Sequence, residues 1–326
     1  MRIFVTGAAG FIGSHFVRTL LNGGYPAWQD VEVTVYDKLT YAGNLANLEA
    51  VSTDPRYRFV QGDICDGPLL DDVLPGHDLV INFAAESHVD RSITGAADFV
   101  VTNVLGAQTV FDACLRAKTP RVVHIGTDEV YGSIDIGSWT EDQPLLPNSP
   151  YSAAKAAAEL LARAYFVTYG LNISTTRCSN NYGPYQFPEK VIPLFVTNLM
   201  DGLKVPLYGD GLNVRDWLHV DDHCRGIAIV AEKGQPGLSY NIGGGVELAN
   251  RELVERILAA CGADWDSVDY VEDRKGHDRR YSVDDGRVRQ LGYAPQHTLE
   301  EGLAETVAWY QANEAWWRPL KAGAVL

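Results

Sequence analysis

Cysteine is scarce. The 326 residues hold five (Cys65, Cys114, Cys178, Cys224, Cys261), an odd number, widely scattered, with no Cys-x-x-Cys pair. This argues against a disulfide framework and a thiolate zinc site, and leaves buried small hydrophobes as the expected role. No apolar run approaches the length of a membrane span. The first residues, "MRIFVTG", read as a strand rather than a basic-then-apolar secretion signal. A cytoplasmic protein with no membrane partner is therefore expected. Positive charge is also in short supply: the formal net charge is −15. A nucleic-acid partner would meet long-range repulsion, and none is expected. The same field opposes any anionic ligand, which would need a local basic pocket. Internal repeats, low-complexity tracts and long charge runs are absent.

What is present is ordinary for a globular chain, with 46% apolar and 21% charged residues. The length allows one large α/β domain or a main domain with a smaller companion. Six short runs have strand length and β-branched content: "RIFVTG", "VEVTVYD", "YRFVQGD", "DLVINFAA", "RVVHIGT" and "NISTTRC". Helix-length stretches at 11–22, 101–117 and 151–169 lie between several of them. Such alternation predicts a doubly wound parallel sheet with helices on both faces. After Cys178, "NNYGPYQFPEKVIP" and "GLKVPLYGDGLNVRDW" read as loops and short strands, a smaller mixed α/β C-terminal substrate domain over the sheet. "DDHCRGIAIVAEK" and "LSYNIGGG" read as a helix and strand returning to the main sheet. The expected division is 1–178, with returning segments at about 213–243, against 179–212 and 244–326.

Helices 101–117 and 151–169 are apolar or small on nearly every face, so they need cover all round. The protein's own second domain or a second subunit could supply it; a homodimer through these two helices is the expectation.

"FVTGAAGFIGSH" puts Gly7, Gly10 and Gly13 between a strand and a helix, where backbone N–H groups and the helix dipole can meet a pyrophosphate. The second strand ends in Asp37, placed for the ribose hydroxyls of a dinucleotide. An anion there disfavours a 2′-phosphate, so NAD is preferred over NADP, although the adjacent Lys38 weakens the inference. Asp63 and Ile64, ending the third strand, could flank the adenine. The sheet is then of Rossmann type and NAD the expected cofactor.

"YSAAK" sets Tyr151 and Lys155 four apart, on one helix face. A free tyrosine titrates near pH 10, so a base at neutral pH needs about three units of depression, roughly 4 kcal/mol of phenolate stabilisation. An adjacent ammonium and a positive nicotinamide ring are the expected sources. Thr127, at the end of "RVVHIGT", can hydrogen-bond the same substrate oxygen. Asp128 and Glu129 follow it at the end of a buried strand, where bare carboxylates are costly unless paired or used. A simple capping role is the plain alternative.

With "DKLTYAGN", "FAAESHVDRSI", "TDEVYGS", "NNYGPYQFPEK", "PLYGDGLNVRDWLHVDDHCRGI" and "DRKGHDRRYS", the chain resembles the extended short-chain dehydrogenase/reductase family almost end to end. Asp128 and Glu129 point within it to the nucleotide-sugar 4,6-dehydratases, since sugar-epimerising members generally carry small or hydroxyl residues there. The resemblance implies a lyase acting on dTDP-glucose: oxidation at C4 through Tyr151, Thr127 and Lys155, C5–H abstraction by Glu129, and proton donation to the leaving 6-oxygen by Asp128. Hydride would then return from NADH to C6. Cofactor contacts implied this way are Phe11, Ile12, Leu39, Thr40, Ala84, Ala85, Ser87, Thr102 and Asn181.

For the nucleotide-sugar substrate it implies Ser87 and Asn180 near the sugar or phosphates and Lys190 and Arg215 on the pyrophosphate, with Val191 following. Pro206, Leu207 and Tyr208 would lie beside the base, with Asn250 nearby. Asp273, Arg274, Lys275, Gly276 and His277 would form a closing loop. A UDP-glucose dehydratase, a 4-epimerase and a non-catalytic NAD-sensing protein remain the alternatives. "HVDDH" contains a conceivable metal pair, His219 and His223; helix capping by Asp221 or Asp222 is preferred, and no metal is expected.

Overall fold

The structure, a computed structural model, describes residues 1–323; the final three residues of the second expected domain lie outside the described residues. Twelve strands run in chain order: β1 (Arg2–Thr6), β2 (Glu32–Asp37), β3 (Tyr57–Gln61), β4 (Leu79–Asn82), β5 (Arg121–Thr127), β6 (Ile173–Cys178), β7 (Asn180–Tyr182), β8 (Val205–Tyr208), β9 (Val214–His219), β10 (Ser239–Ile242), β11 (Glu247–Ala249) and β12 (Val268–Val271). The helices of ten or more residues are α1 (Phe11–Leu21), α2 (Ala107–Ala117), α3 (Pro150–Tyr169), α4 (Val191–Met200), α5 (Val220–Lys233), α6 (Asn250–Cys261), α7 (Leu299–Ala312) and α8 (Glu314–Gly323). None of the described helices is long and apolar enough to cross a membrane.

Seven strands form one parallel sheet in the order β10-β6-β5-β4-β1-β2-β3. β4 and β6 are buried at every position and β5 at all but its first. Near-continuous β-branched runs are what a strand covered on both faces requires. One face packs α1 and α5 around Phe16, Val17, Leu20 and Ile227; the other packs α2 and α3 around Val110, Phe111, Ala158 and Ala162. Strand order reverses beside β1, between β2 and β4, and a crevice opens there at the carboxyl ends of the strands.

The second domain holds a three-stranded sheet, β11-β9-β7, a two-stranded pair, β12-β8, and a core of its own around Ile192, Val196, Leu253, Leu303 and Trp317. Its sheet corrects the expected boundary at 213. β9 pairs with β7 and β11, so the chain rejoins the main sheet only at Val220. Residues beyond 243 also cross back, with Val288 and Tyr293 packing in the first core. The loop reading of "EKVIP" is corrected too, because α4 begins at Val191. The expected helix at 101–117 is regular only from Ala107; Val100–Gly106 is a π-turn.

Neither acid caps α5. His219 is the N-cap and accepts the Asp221 N–H, while Asp221 and Asp222 occupy the first turn. His219 does not gather with His223 either: among the described residues its possible metal-ligating neighbours are His297 and Glu305, while His223 Nδ1 lies 2.8 Å from Asn181 Oδ1.

Candidate active site

The glycine turn must carry the chain from Thr6 to Phe11 against its neighbours. Gly7 sits at φ 63°, and a Cβ on it would lie 2.6 Å from the Ala84 backbone. A Cβ on Gly13 would lie 2.5 Å from the Gly7 carbonyl oxygen. Bare backbone therefore faces the cleft at Gly7, Gly10, Phe11, Ile12 and Gly13. Gly10 caps α1 without a side-chain acceptor, which leaves the first-turn N–H groups for an anion.

Asp37 lies beside this turn. Its Oδ2 accepts the Ala9 N–H at 2.9 Å and its Oδ1 the Leu39 N–H at 2.8 Å. Burial pushes its pKa up, and those two bonds oppose the rise. A carboxylate has about four acceptor positions, so room remains for two ribose hydroxyls. Lys38 is not free to receive a 2′-phosphate, because its Nζ meets Asp63 Oδ2 at 2.7 Å.

The candidate reacting groups stand at the carboxyl end of β5. Thr127 caps the short turn Asp128–Tyr131, its Oγ1 accepting the Glu129 N–H at 3.3 Å. The threonine does the capping, and both acids are released from that duty. Ser149 caps α3 in a reciprocal box with Ser152, and Pro150 opens the helix. This sets Tyr151 and Lys155 one turn apart, both buried. Lys155 Nζ donates to the Ile125 carbonyl, and burial brings its pKa down to about 8. One turn further, Glu159 forms a buried ion pair with Arg177 at 2.7 Å, and its charge favours the Lys155 ammonium.

The expected depression of Tyr151 is not supplied by these residues. Burial, and then the Glu129 charge, hold the phenol well above its usual pKa.

The two acids differ in surroundings. Asp128 is buried, and burial followed by the Glu129 charge pushes its pKa well up. Glu129 is also raised by burial, but Arg274, Arg215 and Lys190 all pull it back. Adjacent carboxyls in unlike environments settle into one neutral acid and one ionised base.

Beyond Glu129 the cleft continues as a second lobe lined by Lys190, Val191, Pro206, Leu207, Tyr208, Arg215, Asn250, Arg274 and His277. Ser87, Glu129, Asn180 and Lys190 border both lobes. The cations there bond mainly to carbonyls. Lys190 donates to Ser87 O at 2.8 Å, and Arg215 to Val214 O at 2.7 Å and Asp278 O at 2.9 Å. The Arg274 side chain has, among the described residues, only Asp90 as an acidic partner, at 3.8 Å. Asp90, Glu129 and Glu189 line the same recess, so in a chain of net charge −15 this lobe gathers three cations beside three acids, and the cations' bonds to carbonyls leave their charge available to an anionic ligand.

The structure also brings Thr40, Ile64, Ala84, Ala85, Thr102 and Asn181 to the first lobe. It does not bring Leu39, Asp273, Lys275 or Gly276 to either. Leu39 takes a left-handed backbone (φ 59°) and packs its side chain on the first core. Asp273 instead holds the loop, accepting from the Arg274 N–H and lying 2.5 Å from His277 Nδ1, while Lys275 and Gly276 form an exposed turn. Residues that sequence reasoning missed include Asn47, Glu86, Tyr185, Trp316 and Leu320 in the first lobe and Trp217 and Tyr281 in the second.

Two buried polar atoms on the cleft, Asp128 Oδ2 and Asn180 Oδ1, have no partner among the described residues. With the glycine cradle and Asp37, they fit a bound dinucleotide and substrate. Residues 4–306 match the GDP-mannose 4,6 dehydratase family. The dTDP-glucose 4,6-dehydratase of Streptomyces griseus is 62% identical over 319 residues, covering 98% of this chain and 96% of that protein. The crystal structure of DesIV, the Streptomyces venezuelae dTDP-glucose 4,6-dehydratase, solved with NAD bound, is 62% identical. It superposes at a TM-score of 0.97 over 98% of this chain and 100% of that one. The Bacillus anthracis dTDP-glucose 4,6-dehydratase in complex with NAD is 48% identical with a TM-score of 0.90, over 98% and 99% of the two chains.

The Rossmann sheet and the Thr–Tyr–Lys set define an extended short-chain dehydrogenase/reductase. Within that class, the chain belongs to the dTDP-glucose 4,6-dehydratase family.

Proposed function

We propose that the protein is a lyase converting dTDP-glucose to dTDP-4-keto-6-deoxyglucose and water, with NAD held through each turnover. The observation that carries this reading is the pair Asp128–Glu129 at the end of β5: burial and the Glu129 charge push Asp128 well up, while Glu129, also raised by burial, is drawn back by three cations. Elimination of water from C5 and C6 needs one group to take a proton and another to give one.

Tyr151 takes the 4-hydroxyl proton, with Thr127 donating to the same oxygen. The C4 ketone acidifies C5–H, Glu129 removes that proton, and Asp128 protonates the 6-oxygen as its bond to carbon breaks; when C6 later receives the hydride, Glu129 returns the proton to C5. Lys155 holds positive charge beneath the tyrosine. NAD, when bound, supplies the positive ring that favours a phenolate and stores the C4 hydrogen with its electron pair until C6 receives it. Lys190, Arg215 and Arg274 hold the substrate pyrophosphate, and Pro206–Tyr208 flank the base.

The test is NMR of the product from dTDP-glucose deuterated at C4, with no cofactor added. The expected product is the 4-keto-6-deoxy sugar with deuterium at C6. A 4-epimer, or loss of the label to solvent, would sink the assignment.

A second copy of the chain is the proposed cover for the π-turn and α3. Val100, Val101, Leu105, Leu160 and Val167 are between 48% and 63% exposed there. Apolar surface of this extent marks an interaction face. Leu105→Glu combined with Leu160→Glu should shift the protein from dimer to monomer in light scattering; an unchanged dimer mass would refute this contact. Cytoplasmic residence completes the proposal, in keeping with five free cysteines.

A further inference from the structure

The first domain does not enclose its cofactor lobe alone. Trp316 and Leu320, one turn apart on α8, also line it. α8 is two-faced. On one side Trp317 is fully buried in the second core, and Arg318 and Lys321 grip Asp201 at 2.8 and 2.7 Å. On the other, Trp316 Nε1–H donates to Asn47 Oδ1 at 2.9 Å. Asn47 is buried, and its Nδ2–H donates to the Ala9 carbonyl at 2.9 Å. Ala9 N–H in turn bonds Asp37 Oδ2. Hydrogen bonds through successive residues thus tie a helix anchored in the second domain to the glycine turn and the ribose-facing carboxylate.

Aromatic packing reinforces the link. Trp316 meets Tyr185 edge-on at 5.6 Å and Trp309 at 5.0 Å. Tyr185 lines the same lobe and holds φ at 69°, a conformation rarely adopted outside glycine. The Arg18 guanidinium, from α1, lies 4.1 Å from its ring centre and donates to the Asn47 carbonyl. Trp316 also packs against the edge of the second core, but Trp317 fills its interior, and the indole N–H of Trp316 is directed at Asn47 of the first domain.

We propose that Trp316 and Leu320 are cofactor-retaining residues: they close the Asp37 end of the lobe and slow the exit of bound NAD. The inference rests on the NAD reading of the site. The chemistry gives it a purpose, because an electron pair taken from a sugar must be returned to that sugar. A cofactor that left between the two events would strand a keto intermediate on the enzyme.

The experiment loads the full-length protein with radiolabelled NAD and chases with unlabelled NAD, following retained label on a desalting column. Trp316→Ala should release label about tenfold faster than the unaltered protein, since losses of contact at a binding site fall chiefly on the exit rate. Trp316→Phe keeps the ring and drops the bond to Asn47; it should show a smaller increase, and it carries the test if the alanine variant does not fold. Thermal melting of the NAD-free proteins separates the roles: a structural residue would lower the melting temperature without changing the exit rate. An exit rate unchanged in both variants would overturn the proposal. Resident NAD is first removed and its amount measured; if the unaltered protein holds no resident NAD and the NAD-free protein takes up no labelled NAD, the cofactor reading itself falls, and the retention role with it.

Discussion

Glu129→Gln should lower turnover of dTDP-glucose by about 10²- to 10⁴-fold while C4 oxidation continues, the range over which positioned acids and bases act. Stopped-flow absorbance at 340 nm is the measurement. In the unaltered enzyme the signal of reduced nicotinamide should be small and brief. In the variant it should rise on mixing and persist, because the ketone forms and nothing removes the C5 proton. Glutamine matches glutamate in shape, and the cations around Glu129 remain in place.

Asp128→Asn should give the same persistent signal for the complementary reason, since no proton reaches the departing 6-oxygen. Burial already drives Asp128 toward its neutral form, so an uncharged asparagine should cost little stability. The loss should fall on the chemistry. The two substitutions act on one step and should not multiply in the double variant. Should both variants lose the absorbance rise along with turnover, the acids belong to the oxidation and the assignment is wrong.

How much of this could be read along the chain depends on how local each cause is. The six predicted strands of the main sheet are all present, since a strand buried on both faces must be apolar and β-branched along its own length. The glycine turn was legible because its close contacts are made by residues near Gly7 and Gly13 and by the adjoining β4. Sheet membership is a different matter. "VRDWLH" reads as a strand, but its pairing with β7 and β11 rather than the main sheet is decided by partners far off in sequence.

The same limit explains the missed site residues. Asn47 and Trp316 meet across the domain boundary, and Trp316 sits in an aromatic run, "WYQANEAWWRPL", whose composition equally fits a packed terminal helix. Asp273, Lys275 and Gly276 show the converse: a matching motif marks a loop, and only one or two of its side chains need face the ligand. The Tyr151 pKa is not legible from spacing, which places Lys155 on the right face without showing that its ammonium donates to the Ile125 carbonyl.

Lys155→Met should slow C4 oxidation by about 10³-fold, within the range for groups that support a positioned acid or base. The phenol of Tyr151 is held high by burial and by Glu129. Lys155 lies one turn along the same helix face, so its loss removes a positive charge near the phenolate as it forms. The pH dependence follows from the same geometry. Burial brings Lys155 down to about 8, so the ammonium is present below that pH and is lost as pH rises through it. The single-turnover oxidation rate should therefore fall on the alkaline side near pH 8.

Glu129 sets the other limb, for overall turnover. Burial raises its pKa above the usual carboxylate value, and the base is lost as pH falls through it. In Lys155→Arg, a slower enzyme that keeps its charge at all accessible pH, the alkaline fall in oxidation should vanish. Measuring oxidation from about pH 6 to about pH 10, where lysine but not arginine titrates, decides the matter. An alkaline limb that stays in place in the arginine variant would show that another group controls Tyr151, and the Glu159–Arg177 pair beneath Lys155 would lose its stated part in the chemistry.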